Sequence, residues 1–322
     1  MKAAVYYETG SPDVFRYEDV HDPEPGPGEI LIEVEAVSIE GGDTLNRLGG
    51  QMVGVPHVVG YQAAGTVTGL GPGAERFTLG NRVVTVGTHG SHAEKRAVGE
   101  KFAWRVPDGL GTAEASCIPV PFGTAHDCLF EWGRLQAAET ALIHAGAGGV
   151  GIAAIQMAKR AGAHVLATAS TDDRLERLKE FGLDDGINYV TSDFVVEARR
   201  LTGGRGVDVI VDSVGGETLR KSLEALAYRG RCVTVGDAGR APAEAVDISA
   251  MRPNNQSLSG YFLGAELFLG TRAYAMIANV IEDVARGELR VVIDRTFSLA
   301  EAAAAHAYIE SRQAFGRVLL IP

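Results

Sequence analysis

Residues 144–159 read HAGAGGVGIAAIQMAK, and the spacing of their glycines suits the binding of a pyrophosphate. Gly146, Gly148 and Gly151 follow a short apolar run over 140–143, and beyond them Val150, Ala154, Met157 and Ala158 share one helical face. In such a strand–turn–helix unit the first glycine permits the tight turn and the second lets backbone amides approach the pyrophosphate. The third lets the helix pack closely on the strand. The amides of Gly149 and Val150 open that helix, and its dipole favours a phosphate group at the same end. The stretch therefore predicts a dinucleotide site.

A glycine turn binds a dinucleotide only if a parallel sheet presents it, so the flanking segments matter. From residue 140 onward strands and helices alternate. The strand candidates are 140–144, 164–168, 186–189, 207–212, 231–235 and 257–262. Amphipathic segments lie between most of them, such as 173–181 with Leu175, Leu178 and Phe181. This is the βαβ rhythm of a doubly wound parallel sheet. The first 120 residues read differently. Residues 30–37 alternate apolar residues with Glu, short apolar runs follow at 65–69, 82–86 and 92–98, and Gly/Pro turns separate them. That pattern predicts a β-rich domain with antiparallel strands. A helix is expected over 125–132, a longer one over 265–286 with Tyr274, Ile277, Ile281 and Val284 on one face, and strands over 291–297 and 318–321. Ser298 and Glu301 form a capping-box pattern before an alanine-rich helix. The tail is expected to return to the first domain. The fold class is thus α/β, a Rossmann domain over 123–263 and a β-rich domain built from 1–122 and 264–322.

Bulk properties exclude several functions. The chain has 322 residues, 46% of them hydrophobic, and a net charge of −11 without a basic block, which argues against nucleic acid or an anionic membrane as partner. No apolar stretch is long enough to span a bilayer. Cys117, Cys128 and Cys232 form no C-x-x-C pair, and MKAAVYYETG lacks the pattern of a signal peptide, so a cytoplasmic location is expected. The three thiols, with Trp104 and Trp132, are expected in cores.

The order of parts resembles the medium-chain dehydrogenase/reductase superfamily, and within it the zinc-independent quinone oxidoreductases. Several landmarks carry the resemblance: Pro107-Asp108-Gly109-Leu110 after the first domain, Gly123-Thr124-Ala125 at a helix entry, the HAGAGGVG turn, Asp212-Ser213-Val214-Gly215-Gly216 after a strand, and Gly316-Arg317-Val318-Leu319 at the close. The resemblance implies that the β-rich domain is GroES-like and catalytic, and that Thr124 lies near a nicotinamide. Zinc-dependent members of the superfamily take a Cys from a C-x-x-D segment and a His from a GHE segment. The matching segments here are Glu40-Gly41-Gly42-Asp43 and Gly60-Tyr61-Gln62, a poor ligand set for zinc. His89 and His92 lack a visible third ligand and read as turn and strand residues. No metal is expected.

The cofactor is expected to be NADPH, with NADH possible. NAD-binding folds place an acidic residue roughly 20 positions beyond the turn, on the ribose hydroxyls. Here the second strand is followed by Ala169-Ser170-Thr171, with no carboxylate at the tip. Ser170 can donate a hydrogen bond and Arg174 can pair with a phosphate. The resemblance implies that Arg174, Tyr189 and Arg317 approach the 2′-phosphate. Glu40, Leu45 and Tyr61 are the candidates for the substrate pocket. Glu40 is expected to carry a proton, to cap a turn or to pair with Arg47. Without a Lewis acid the favoured acceptor is a quinone or an α,β-unsaturated carbonyl, whose own conjugation stabilises charge. The alternatives are an enoyl-thioester reductase and a non-enzymatic NADPH-binding protein. The sixth strand would be an exposed edge in a monomer, and relatives join such edges, so a homodimer is expected.

Overall fold

The structure is a computed structural model and describes residues 1–242 and 244–322. The chain forms two compact units, one of residues 1–120 and 270–322 and the other of residues 121–269. The chain leaves the first unit at Pro121 and returns to it at Gly270, so the helix just before the return lies with the second unit rather than with the tail.

The first unit opens with strands β1 (Lys2–Tyr6), β2 (Arg16–Asp19) and β3 (Glu29–Ser38) and helix α1 (Gly41–Gly49). Strands β4 (His57–Val58), β5 (Gln62–Leu70), β6 (Arg82–Val86), β7 (Lys95–Gly99) and β8 (Ala103–Arg105) follow, with a short helix α2 (Thr112–Ala115). In β3, Ile30, Ile32 and Val34 are buried while Glu33 and Glu35 face water, as the alternation requires. Each such buried aliphatic side chain contributes on the order of 1.5–3 kcal/mol. β3 pairs antiparallel with β5 and with β7, at the centre of the larger sheet. It is the strand that delivers the chain to Glu40 at the head of α1.

Helix α3 (Pro119–His126) carries the chain from the first unit into the second. It begins earlier than the sequence suggests and does not continue as an α-helix, because residues Asp127–Trp132 form a π-helical turn. Trp132, the last residue of that turn, is 40% exposed rather than in a core, since the wider turn carries it outward. Then come β9 (Thr140–Ile143), α4 (Gly149–Arg160), β10 (His164–Ala169), α5 (Asp172–Leu178), β11 (Asp185–Asn188), α6 (Phe194–Leu201), β12 (Val207–Asp212), α7 (Gly216–Ala225), β13 (Leu226–Thr234), β14 (Ser257–Gly260) and α8 (Leu263–Leu269). The sheet runs β11-β10-β9-β12-β13-β14 with every pairing parallel. In order of appearance that is 3-2-1-4-5-6, the dinucleotide-binding order, whose switch point lies between β9 and β12. The glycine turn leaves β9 at this switch point. β14 forms one edge of the sheet.

Back in the first unit are α9 (Arg272–Ala285), β15 (Ile293–Ser298), α10 (Ala302–Glu310) and β16 (Arg317–Ile321). The single helix expected over 265–286 is two, α8 and α9, because the chain breaks at Gly270-Thr271 between the units. Ile277, Ile281 and Val284 are buried as the pattern requires, and Tyr274 stacks on Trp104 with ring centroids 5.1 Å apart. Glu301 accepts from the backbone and hydroxyl of Ser298, closing the expected cap. β16 pairs antiparallel with β3 at Leu319–Ser38 and Leu320–Val37, which brings Arg317 next to the start of α1. All three cysteines are buried thiols.

Candidate active site

In the second unit the glycine turn is built by close approach. A Cβ on Gly151 would lie 2.4 Å from the Ala145 carbonyl oxygen and 2.6 Å from that of Gly146. A Cβ on Gly146 would lie 2.9 Å from the Ala167 side chain. Neither position has room for a side chain, so α4 starts directly against the end of β9. Ala145 holds a φ of 50°, a left-handed conformation that costs on the order of 1 kcal/mol for a residue other than glycine. Gly148 is the N-cap of α4 and supplies no side-chain acceptor, so the first-turn amides at Gly149, Val150 and Gly151 have no side-chain cap. A helix start of this kind suits a phosphate.

Next to the turn, β10 and β11 end side by side. Ala169 pairs with Asn188, and the Tyr189 amide donates to the Ala169 carbonyl at 3.2 Å. Ser170 and Tyr189 therefore stand together at the strand ends. Arg174, one helical turn along, donates to the Ser170 hydroxyl at 3.1 Å. Asp172 accepts from the Asn188 amide at 2.9 Å, which fixes its carboxylate on the protein. The structure thus groups three of the four residues expected at a 2′-phosphate: Ser170, Arg174 and Tyr189. Thr124 is buried within α3.

Arg317, the fourth, has a different setting. It is only 8% exposed and lies in the first unit. Its guanidinium donates to the Ser38 hydroxyl at 2.7 and 3.0 Å, to the Ile39 carbonyl at 2.6 Å, and to the Glu40 carboxylate. An acid at position 40 thus draws the guanidinium inward. The expected pairing of Glu40 with Arg47 does not form, since Arg47 is bonded to Glu310 instead.

Glu40 is the hub of a buried polar cluster. Its carboxylate accepts from Arg317 and from the Gln62 amide, and Gln62 in turn accepts from the Val120 amide at 3.0 Å. Asp43 closes the head of α1, accepting from the Glu40 amide at 2.8 Å and from the Tyr61 amide at 3.0 Å. Burial pushes the Glu40 carboxyl up to about 7, against the opposing pull of Arg317 and Gln62. Burial likewise pushes Asp43 up to about 8. The Tyr61 hydroxyl is pushed up to about 12, by burial first and then by the two acids. Tyr61 lies over Gly42, where a Cβ would come within 2.3 Å of its ring. The structure therefore joins Glu40, Tyr61 and Arg317. Leu45 lies further along α1 and is 37% exposed.

Sequence reasoning missed Asp43 and Gln62 as members of this cluster. The E-x-x-D spacing at the head of a helix was a legible capping signal for Asp43, whereas nothing local marks Gln62.

The donor set does not suit zinc. The Glu40 carboxylate faces a guanidinium, which a cation would have to displace, and Gln62 and Tyr61 are poor ligands beside it. Among the described residues no group of three or more His, Cys, Asp or Glu side chains is placed to hold a metal ion. His92 Nε2 instead meets His306 Nε2 at 3.0 Å in the core of the first unit. Among the described residues no helix is long and apolar enough to cross a membrane.

Known proteins with the same architecture share the sequence over its whole length. The zinc-binding dehydrogenase family matches residues 149–285, and the alcohol dehydrogenase GroES-like domain matches residues 26–118. A 2-haloacrylate reductase of Burkholderia sp is 34% identical, over 100% of this chain and 99% of its own. A quinone oxidoreductase of Pseudomonas aeruginosa is 31% identical, over 97% of each chain. The crystal structure of Escherichia coli quinone oxidoreductase complexed with NADPH superposes with a TM-score of 0.95, at 27% identity and full coverage of both chains.

Proposed function

Because the chain belongs to the medium-chain dehydrogenase/reductase superfamily, within its quinone oxidoreductase-like family of oxidoreductases, we propose that it reduces a quinone or an α,β-unsaturated carbonyl compound with NADPH and without zinc. The observation that carries this reading is the Glu40–Arg317 ion pair at the position where zinc-dependent relatives keep a cysteine ligand. With a guanidinium in that place, no strong Lewis acid polarises a simple carbonyl or alcohol. The acceptor must then be one whose conjugation already spreads the charge that a hydride leaves behind.

When bound, the nicotinamide supplies the hydride. The chain's own groups bind and orient. The uncapped amides at the start of α4 suit the pyrophosphate, and Ser170, Arg174 and Tyr189 suit a 2′-phosphate through charge-assisted hydrogen bonds. No carboxylate stands at the Ala169-Ser170-Thr171 tip, and Asp172 beyond it is bonded to Asn188, which lessens the repulsion that selects against that phosphate. On the acceptor side, Arg317 and Gln62 hold the Glu40 carboxylate in one position beside Tyr61, and Leu45 adds an apolar surface. We also read the chain as a homodimer joined through the open β14 edge, since unpaired edges of this kind are normally covered.

The test is oxidation of NADPH, followed by absorbance, with a panel of quinones and enals and with simple aldehydes as controls. Turnover is expected with the conjugated acceptors, with NADPH preferred over NADH and without response to chelators. Turnover confined to simple aldehydes, or activity that a chelator abolishes and zinc restores, would overturn the proposal.

A further inference from the structure

The glycine turn leans on a chain of side-chain hydrogen bonds inside the second unit. His144 follows β9 directly, stands immediately before Ala145, and is buried. Its amide donates to the Val211 carbonyl at 3.0 Å, which extends the ladder between β9 and β12. Its ring lies between two hydroxyls. Nδ1 is 3.2 Å from Thr168 Oγ1 on β10, and Nε2 is 2.9 Å from Ser222 Oγ on α7. β10 lies on one side of β9, and α7 follows β12 on the other, so the imidazole spans the switch point of the sheet. Phe194 packs edge-on against it, with ring centroids 4.7 Å apart, and limits its rotation.

Both ends of the chain are backbone groups, and they fix the direction of every bond in it. The Ser222 hydroxyl donates to the Thr218 carbonyl at 2.7 Å, so toward His144 it can only accept. Nε2 therefore carries the ring proton. Burial pushes the imidazole down to about 3, so the ring is neutral and Nδ1 is an acceptor. The Thr168 hydroxyl donates to Nδ1, and a lone pair of the same oxygen accepts from the Ala145 amide at 3.3 Å. The bonds thus run one way, from the Ala145 amide through Thr168, His144 and Ser222 to the Thr218 carbonyl. Buried chains of this kind, with every member satisfied, hold one geometry.

The residue at the head of the chain is the strained one. Ala145 stands at a φ of 50°, and a conformation of that kind persists only where its surroundings over-determine it. The Ala145 carbonyl accepts from the Gly148 amide at 2.9 Å, and the Thr168 carbonyl accepts from the Gly146 amide at 2.9 Å. The tilt of the Ala145 peptide therefore sets where Gly148 stands, and with it the uncapped amides at the start of α4. We propose that His144 is a positioning residue for cofactor binding: acting through Thr168, it holds Ala145 in its left-handed conformation and so aims the α4 amides at the pyrophosphate of the dinucleotide. This inference rests on the reading of the glycine turn given above. His144 itself touches no phosphate in this arrangement, and every residue of the chain belongs to the second unit.

Calorimetric titration with two fragments of NADPH tests this. 2′-Phospho-ADP-ribose carries the pyrophosphate, whereas adenosine 2′-phosphate carries only the group assigned above to Ser170, Arg174 and Tyr189. His144→Phe keeps a ring and loses both polar atoms. It should weaken 2′-phospho-ADP-ribose about tenfold and leave adenosine 2′-phosphate within about twofold. Thr168→Val, which deprives the Ala145 amide of its acceptor directly, should do the same. His144→Gln keeps one donor and one acceptor and should recover part of the loss. A variant that merely folds less well lowers the number of sites for both fragments alike, and circular dichroism reports it. Independently of any ligand, nitrogen NMR of labelled histidine should show a neutral His144 with its proton on Nε2. Equal losses for the two fragments overturn the proposal. So does an unchanged affinity for 2′-phospho-ADP-ribose in folded His144→Phe and Thr168→Val, or a wild-type His144 protonated at Nδ1. Gly148→Asp separates the proposal from the reading beneath it, because a carboxylate at that N-cap takes the first-turn amides and repels a phosphate. If Gly148→Asp binds 2′-phospho-ADP-ribose as the wild type does, the turn is not the pyrophosphate site, and the earlier reading falls together with this one.

Discussion

Replacing Arg317 by Met tests the buried cluster around Glu40, and its effect should depend on pH in a specific way. Removing one member of a buried ion pair costs about 3–5 kcal/mol when the other stays charged. Glu40 need not stay charged. In the wild type burial already raises its pKa from 4.5 to about 7, so its favourable contribution is complete below 4.5 and has been lost by about pH 7. Above that, the carboxyl is ionised in both folded and unfolded wild type, and its term is flat. Without the guanidinium the folded carboxyl keeps its proton to higher pH, so the variant continues to lose stability by about 1.4 kcal/mol per pH unit while the wild type does not. The lost hydrogen bonds to Ser38 and Ile39 add a pH-independent term of about 2 kcal/mol. The expected destabilisation is therefore about 2 kcal/mol at pH 7 and about 5 kcal/mol at pH 9, where it meets the value for breaking a buried pair outright. Glu40 and Arg317 pull Asp43 in opposite directions, and the variant lacks both charges while Glu40 holds its proton, so the Asp43 titration cancels to first order. Urea unfolding at pH 6, 7, 8 and 9, followed by the fluorescence of buried Trp104, measures the difference. In the double variant Glu40→Gln/Arg317→Met the pH-dependent part should vanish. A destabilisation by Arg317→Met that is constant from pH 6 to pH 9 would refute the reasoning.

Two further outcomes follow from the second unit. Arg174→Ala should lower kcat/KM for NADPH by about 10–100-fold, the worth of a charge-assisted phosphate contact, and leave the value for NADH unchanged; equal losses with both cofactors would remove Arg174 from the phosphate site. Light scattering during size exclusion should give twice the mass of one chain, as expected if the β14 edge is joined to a second copy, and a monomer at micromolar concentration would sink the dimer.

What the sequence revealed depended on how local each determinant is. The glycine turn, the alternation in β3, the Ser298–Glu301 cap and the neighbouring positions of Ser170 and Arg174 all arise within a few residues, and all are found. The doubly wound parallel sheet was legible because its strands and helices alternate along the chain, each with its own short-range period. The failures have a different origin. The partner of Glu40 stands 277 positions away on β16, and Arg47, the local choice, goes to Glu310 instead. His144 and Ser222 are 78 positions apart, and no periodicity marks their contact. The π turn that exposes Trp132 leaves the apolar pattern of an ordinary helix intact, so composition there suggests a core residue.

Position 40 links the two kinds of determinant. A glutamate there is a single local change, yet it needs a cation because burial disfavours its charge, and β16 supplies one through its pairing with β3. Arg317 is bonded to Ser38, Ile39 and Glu40 within the first unit, and on the reading proposed above cofactor discrimination would fall to Ser170, Arg174 and Tyr189. The same pairing makes Glu40 a fixed ionic strut, held on one side by Arg317 and on the other by Gln62. A neutral residue at position 40 would free the guanidinium without breaking the sheet. The cofactor preference of Glu40→Asn against that of Glu40→Gln is therefore informative: if releasing Arg317 leaves the NADPH/NADH ratio unchanged in both, phosphate recognition resides wholly in the second unit.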